Sequence, residues 1–229
     1  MDKISSISGE RRRGTVKRSI FALPAAIAIA ALFASCSTSK VTFFFKDASY
    51  QKQPRKVLVL AVVRKPVVRR VVEDEFVRRF RDRGIEALSG YTVFPGDELA
   101  TKEALEKELM AGGFDALLLM RLMDPRSDLP GAPGAATGQQ GSPAGPGSGG
   151  WPAYYSACYT AVYSPNYTLE DKYALAETSL YDVATEKLIW TAVSETWLGG
   201  QNAQIMIWDY IDVMMGSLQK YKLVPEGKK

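Results

Sequence analysis

Four stretches of this chain carry side chains of the kinds that catalyse or ligate. Ser37-Thr38-Ser39-Lys40 matches S-x-x-K, the spacing that sets a nucleophilic serine beside its activating lysine. Gly145 to Gly150 (GPGSGG) matches G-x-G-x-x-G, whose glycines let backbone amides approach a pyrophosphate. Glu73-Asp74-Glu75 sets three carboxylates in a row, and Cys158 offers a thiol. Each pattern needs a setting. S-x-x-K has to open a helix and be joined by partner motifs, but here it lies in a polar stretch without them. The glycine motif needs a strand before it and a helix after it, but here it lies in a Gly/Pro tract ahead of Trp151-Pro152. Neither is read as a site. Three consecutive helical carboxylates fan around the axis, whereas an acid–base pair faces across a substrate at about 5 to 10 Å. On a solvated face they are partners for Arg69, Arg70, Arg78 and Arg79, three to four residues away.

The sequence contains no histidine. That removes the commonest general base, the commonest metal ligand and every histidine-activated serine or cysteine nucleophile. No catalytic residue, metal site or cofactor is assigned, and the chain is expected not to be an enzyme.

The remaining cysteine has a different context. Arg11, Arg12, Arg13, Lys17 and Arg18 precede an apolar run from Ile20 to Ala34, 15 residues long and interrupted by Pro24. A spanning helix takes roughly 20 apolar residues, so basic start, short apolar run and small-residue exit predict a secretory signal peptide over 1–35. Leu32-Phe33-Ala34-Ser35-Cys36 resembles the bacterial lipobox, with Phe33 where leucine is commonest. The resemblance implies that Cys36 is acylated and becomes the mature N-terminus, holding the protein to the membrane by lipid. One acyl chain holds only marginally and several hold firmly. Ser37, in place of aspartate, implies the periplasmic face of the outer membrane.

Removing the leader changes the charge. The whole chain has 29 basic and 25 acidic residues. Taking away Lys3, Arg11, Arg12, Arg13, Lys17 and Arg18, with Asp2 and Glu10, leaves 23 of each sign. The net positive charge belongs to the export signal, so no nucleic-acid partner is expected. With Cys36 consumed by lipid, Cys158 has no intramolecular partner and is expected in the core. The 194 remaining residues suffice for one hydrophobic core.

The elements follow from periodicity. Residues 36–56 are polar and read as a tether, with Thr42 to Phe45 able to dock as an edge strand. Lys56 to Val63 is an apolar, β-branched run suited to a strand buried on both faces. Pro66 opens a helix; Val68, Val72, Phe76 and Phe80 make its inner stripe, and Gly84 falls at its C-terminal cap. Ile85 to Phe94 reads as a second strand. Thr101 caps a helix carrying Leu105 and Leu109, and Asp115 to Met123 is a third strand. Between Pro130 and Gly150, 12 of 21 residues are Gly or Pro, the composition of a disordered loop. Tyr173 to Val183 and Lys187 to Trp197 alternate as an antiparallel hairpin. A last helix, from about Asn202 to Tyr221, carries Ile205, Trp208, Ile211, Met215 and Leu218 toward the sheet. The fold class is α/β: β-α-β-α-β, an antiparallel hairpin and a C-terminal helix, in a single mixed sheet with helices packed on it. The domain spans 57–226, with a disordered Gly/Pro-rich and Tyr-rich insertion at about 125–172.

Ser179 to Trp190 (SLYDVATEKLIW) resembles the hairpin of small bacterial envelope lipoproteins. These include an uncharacterised lipoprotein family and the fold group of the curli-secretion lipoprotein, the TolB N-terminal domain and the penicillin-binding-protein activator lipoprotein. Many members have glycine where this chain has Glu186, a position that favours positive φ. The resemblance implies an assembly factor or activator of the cell envelope.

Within the insertion, Trp151, Tyr154, Tyr155, Tyr159, Tyr163 and Tyr167 fall in 17 residues. They read in one of two ways. As a strand pair or a cover over the sheet edge, their rings lie half in the core. As a surface, they are candidate partner-binding residues, since Tyr and Trp are enriched at interfaces. Membrane contact is a third reading, although Ser164-Pro165-Asn166 interrupts the alternation a membrane strand requires. The expected function is a lipid-anchored, non-catalytic binding or assembly factor whose partner is another envelope protein or a glycan. The alternative is an oligomeric lipid-anchored pore or transport subunit.

Overall fold

The computed structural model describes residues 38–96, 98–123, 149–163, 173–199 and 202–227, all within one compact unit, 37–229. Cys36, Tyr167 and most of the 125–172 insertion lie outside the described residues. In chain order come β1 (Ser39–Lys46), β2 (Lys56–Val62), α1 (Pro66–Arg81), β3 (Glu86–Ser89) and the single turn α2 (Gly90–Val93). Then follow α3 (Lys102–Ala111), β4 (Ala116–Met123), α4 (Gly150–Val162), β5 (Tyr173–Asp182), β6 (Leu188–Trp197) and α5 (Ala203–Lys220). The strands form one mixed sheet in the order β1-β6-β5-β4-β2-β3. β2 runs parallel to β3 and β4, and the β4–β5, β5–β6 and β6–β1 pairs are antiparallel.

The apolar patterning explains the layers. β2 and β4 are buried along nearly their whole length because helices cover both faces of the sheet. On one face, Val57 and Leu118 meet Phe76 and Phe80 of α1 and Ile211, Met214 and Leu218 of α5. Phe76 stands edge-on to Tyr210 at 6.0 Å, and Arg79 reaches Asp212 at 2.6 Å, locking α1 to α5. On the other face, Leu58, Leu60, Leu117 and Leu119 meet Leu105 and Leu109 of α3 and the inner side of α4. The expected cap forms, Thr101 accepting from the Ala104 amide; Asn202, at the expected start of the last helix, also caps it by accepting from the Gln204 amide.

Three expectations change. The tether assigned to 36–56 contains a full strand. β1 pairs with β6 from Ser39–Thr196 to Lys46–Trp190, and its first residues are pinned by Asp209, which accepts from the Thr38 hydroxyl at 2.7 Å and the Ser39 amide at 2.8 Å. Its hydroxyls look like linker residues only because their partners are far away in sequence; the Ser39 and Thr196 hydroxyls, 2.8 Å apart, are separated by 157 residues. The strand expected over Ile85–Phe94 ends at Ser89. A Cβ on Gly90 would strike Leu60, and the Tyr91 amide donates to Glu73, so the backbone turns there. In α5, Ile205 and Trp208 are exposed, not packed on the sheet; the buried side runs from Tyr210 to Leu218.

Candidate functional site

The described part of the tyrosine-rich segment forms helix α4, not a disordered stretch or a strand pair. Gly149 and Gly150 start it with φ of 76° and 70°. A Cβ on Gly150 would lie 2.9 Å from the Glu186 carbonyl oxygen, which accepts from the Trp151 amide at 3.1 Å. Only glycine allows both the left-handed backbone and this close approach. From there Trp151, Tyr154, Tyr155, Cys158 and Val162 recur at helical spacing and bury one stripe. That spacing is present in the sequence; the aromatic and β-favouring composition hides it.

Of the candidate partner-binding residues, Trp151, Tyr154 and Tyr155 are therefore core side chains and present no surface. Cys158 is buried beside them and forms no disulfide, as expected. Tyr159 is half-buried and Tyr163 exposed. The Tyr155, Tyr159 and Tyr163 rings follow one another at 6.3 and 4.9 Å. The Tyr155 hydroxyl donates to the Ala100 carbonyl at 2.5 Å, tying α4 to the residues before α3. A shallow depression of about 210 Å³ remains between Thr101, Lys102, Ser156, Tyr159 and Thr160.

Beneath α4 lies a buried polar cluster that sequence reading missed. Arg121 of β4 and Glu177 of β5 are directly opposite in register. The Arg121 Nε donates to Glu177 Oε2 at 2.7 Å and contacts the Tyr154 hydroxyl at 3.0 Å. The Tyr154 hydroxyl donates to the same carboxylate oxygen at 2.5 Å. All three side chains are nearly inaccessible. Burial pushes the Tyr154 phenol well above its ordinary range, so it is a fixed donor and not a nucleophile. Chemically the cluster clamps α4 to the sheet.

The carboxylates of α1 divide by role. Glu75 pairs with Arg78 and Arg79, as expected of a helix face. Glu73 points inward instead, fully buried, and accepts from the Ala61 amide at 3.0 Å and the Tyr91 amide at 2.8 Å. Burial pushes its carboxyl up to about 7 against those two hydrogen bonds and the nearby Arg69 charge. Arg69 donates to the Glu98 and Gly96 carbonyls, fastening the loop ahead of α3. Lys40 of the S-x-x-K pattern faces Glu195 across β1–β6 at 3.5 Å, and Ser37 lies outside the described residues.

Two exposed surfaces among the described residues adjoin β1. β1 is an edge strand, and its Phe43, Phe44 and Phe45 are 45–56 % exposed. Phe44 stacks on Tyr221 at 4.9 Å. Beyond the end of β1, a basic depression of about 490 Å³ is lined by Lys46, Tyr50, Lys52, Lys220 and Lys222. Among the described residues, no group of three His, Cys, Asp or Glu is placed to hold a metal ion, and no helix is long and apolar enough to cross a membrane.

This geometry defines a class only by architecture: a six-stranded mixed sheet with α1 and α5 on one face and α3 and α4 on the other. No protein family and no curated protein matches the chain. Among solved structures, it is similar to the PelC dodecamer from Paraburkholderia phytofirmans at 9% identity and a TM-score of 0.41, covering 77% of this chain and 95% of that one. A point variant of the same protein gives 0.42 at the same identity and coverage. Lipoprotein GNA1162 from Neisseria meningitidis is similar at 11% identity and a TM-score of 0.36, covering 74% and 96%. At scores of this size no family follows from them.

Proposed function

We propose that the chain is a lipid-anchored bacterial cell-envelope protein, held through acylated Cys36, that acts as a non-catalytic binding or assembly factor. The observation that carries the reading is β1. It begins three residues after Cys36, takes the outer place in the sheet and exposes three consecutive phenylalanines. An edge strand presents unpaired backbone groups to a partner strand, and here aromatic side chains stand beside them. The recognition surface is thus the β1 edge, in place of the tyrosine-rich helix. The polar groups that could do chemistry support a structural role: Glu73 is saturated by backbone amides, and Arg121, Glu177 and Tyr154 satisfy one another. The partner is another envelope protein or a glycan, at the periplasmic face of the outer membrane.

Photo-cross-linking in intact cells from probes at Phe43 and Phe45, followed by mass spectrometry, tests the reading. One dominant envelope adduct supports an assembly factor. Adducts only between copies of this chain transfer the edge to the alternative, an oligomeric subunit. The absence of adducts from either position refutes the edge as a recognition surface. Intact-mass measurement of membrane-purified protein, with Cys36→Ser as control, tests the lipid separately.

A further inference from the structure

One end of the sheet carries most of the exposed large apolar side chains among the described residues. β1 starts there, β6 ends there, β5 and α5 start there, and β2, β3 and β4 end there. Thr38 marks its position: the Trp197 amide donates to the Thr38 carbonyl at 3.0 Å, and the Thr38 hydroxyl donates to Asp209. Around this point Tyr173, Trp197, Leu198, Ile205 and Trp208 are all exposed large side chains. Tyr173 and Trp197 are direct cross-strand neighbours, and Trp208 and Ile205 sit beside and one turn before Asp209. Tyr163, at the end of α4, and Val67, in the first turn of α1, are exposed at the same end. Exposed apolar side chains scattered singly need no explanation, but a contiguous group marks an interaction site.

We infer that this end of the domain lies against the lipid bilayer, with Trp197 and Trp208 at headgroup depth. The inference rests on the acylation of Cys36 set out above. The chain supplies the argument for lipid as the occupant. Cys36 is two residues before Thr38, and an extended chain spans at most about 3.6 Å per residue, so the anchored residue lies within about 7 Å of Thr38. A cysteine whose acyl chains are in the membrane brings the Thr38 end to the headgroups, whatever the path of the two residues between. The chemistry of the surface matches that position. Tryptophan and tyrosine settle at the membrane–water interface because each joins an apolar ring to a hydrogen-bonding tip. Arg64 and Lys65, exposed where β2 passes into α1, add basic groups at the same end. Among the described acids there, Glu195 pairs with Lys40 and Asp209 accepts from Thr38 and Ser39, while Glu98 and Glu103 are exposed. The opposite end, with the β1 phenylalanines beside it, then faces away from the membrane, free for a partner.

The tryptophans provide the test, because Trp151 and Trp190 are buried while Trp197 and Trp208 are 44% and 41% exposed. The full chain, matured in a bacterial host, is mixed with phosphatidylethanolamine–phosphatidylglycerol vesicles whose acyl chains are brominated or unbrominated. Bromination is expected to quench tryptophan emission. Trp197→Ser combined with Trp208→Ser should abolish that quenching and leave the melting temperature unchanged, since neither ring is in the core. Adding Tyr173→Trp to that double variant should restore it. Emission that ignores bromination but is quenched by aqueous acrylamide overturns the inference. So does emission protected from both quenchers, which would mean that a second copy or another segment of the chain covers this end. Intact mass distinguishes the two readings: an acylated, unquenched protein refutes the docking alone. An unacylated chain that is still quenched keeps the surface and refutes the anchor, and an unacylated, unquenched chain refutes both.

Discussion

Replacing Glu177 by glutamine removes a charge from the cluster beneath α4 and leaves its shape. The Arg121 guanidinium then lies in an almost inaccessible site without the carboxylate now 2.7 Å away, and the Tyr154 hydroxyl loses its charged acceptor. Breaking a buried ion pair by removing one partner costs about 3–5 kcal/mol, because the other charge stays desolvated. Arg121→Met should cost a similar amount for the mirror-image reason. For a domain of this size about 1 kcal/mol corresponds to roughly 2–4 °C, so each single variant should melt roughly 6–20 °C below the parent. Combining Arg121→Met, Glu177→Leu and Tyr154→Phe removes both charges and the hydroxyl that bind one another. Replacing a buried ion pair by apolar groups of similar volume is often near neutral, so the triple variant should return to within about 2 kcal/mol of the parent. The assay is urea unfolding of the Cys36→Ser chain at neutral pH, followed by tryptophan emission, since Trp190 is wholly buried. Costs that simply add in the triple variant would refute the reasoning, as coupled groups must be non-additive. Single-variant costs below about 1 kcal/mol, the range of exposed pairs, would mean the cluster is open to water.

Tyr155→Ala should lower stability by about 3–5 kcal/mol, the range for deleting a buried aromatic ring, measured in the same unfolding assay; a neutral result would put the ring on the surface. Glu73, pushed up to about 7, holds its proton more tightly in the folded chain than in the unfolded one. The stability it contributes is therefore full below the ordinary carboxyl value near 4.5 and is lost as pH rises through about 7. Urea midpoints from acid to mildly basic pH should show that fall, and Glu73→Gln, which strains one of the two backbone contacts, should lower the curve and flatten it. Glu186 holds φ of 59°, a conformation that costs non-glycine residues on the order of 1 kcal/mol. Glu186→Gly should raise the melting temperature slightly, and a fall would mean that the glutamate side chain stabilises the turn.

The parts of the fold that were legible in the sequence are those set by local periodicity. β2 and β4 are unbroken apolar runs, α1 shows its four-residue stripe, and Thr101 and Asn202 cap their helices by side-chain chemistry available within three residues. Features held by distant partners were not legible. The hydroxyl-rich start of β1 reads as linker until Thr196 and Asp209 are brought beside it. Glu73 stands among surface arginines in sequence, and only the approach of Ala61 and Tyr91 makes it an interior acceptor. For the candidate site the difficulty was ambiguity of type. Tyrosine serves core and interface equally well, and which rings of α4 face the sheet depends on a helix whose spacing was overshadowed by its composition.

The placement of β1 also sets an order of assembly. It is the first of the described strands to be synthesised, and Ser39 has to wait for Thr196 and Asp209, its partners more than 150 residues later. Contacts of such separation form slowly because the loop between them must close first. Until then β1 is unpaired, and on the lipid anchoring proposed above that is the state in which a leader-cleaving enzyme and an acyltransferase would act on the chain. Once β1 is zipped to β6, the paired strand begins only three residues after Cys36. On the acylation of Cys36 proposed above, lipid attachment would belong to the interval before β1 pairs with β6, and a variant that speeds β1 docking should slow acylation.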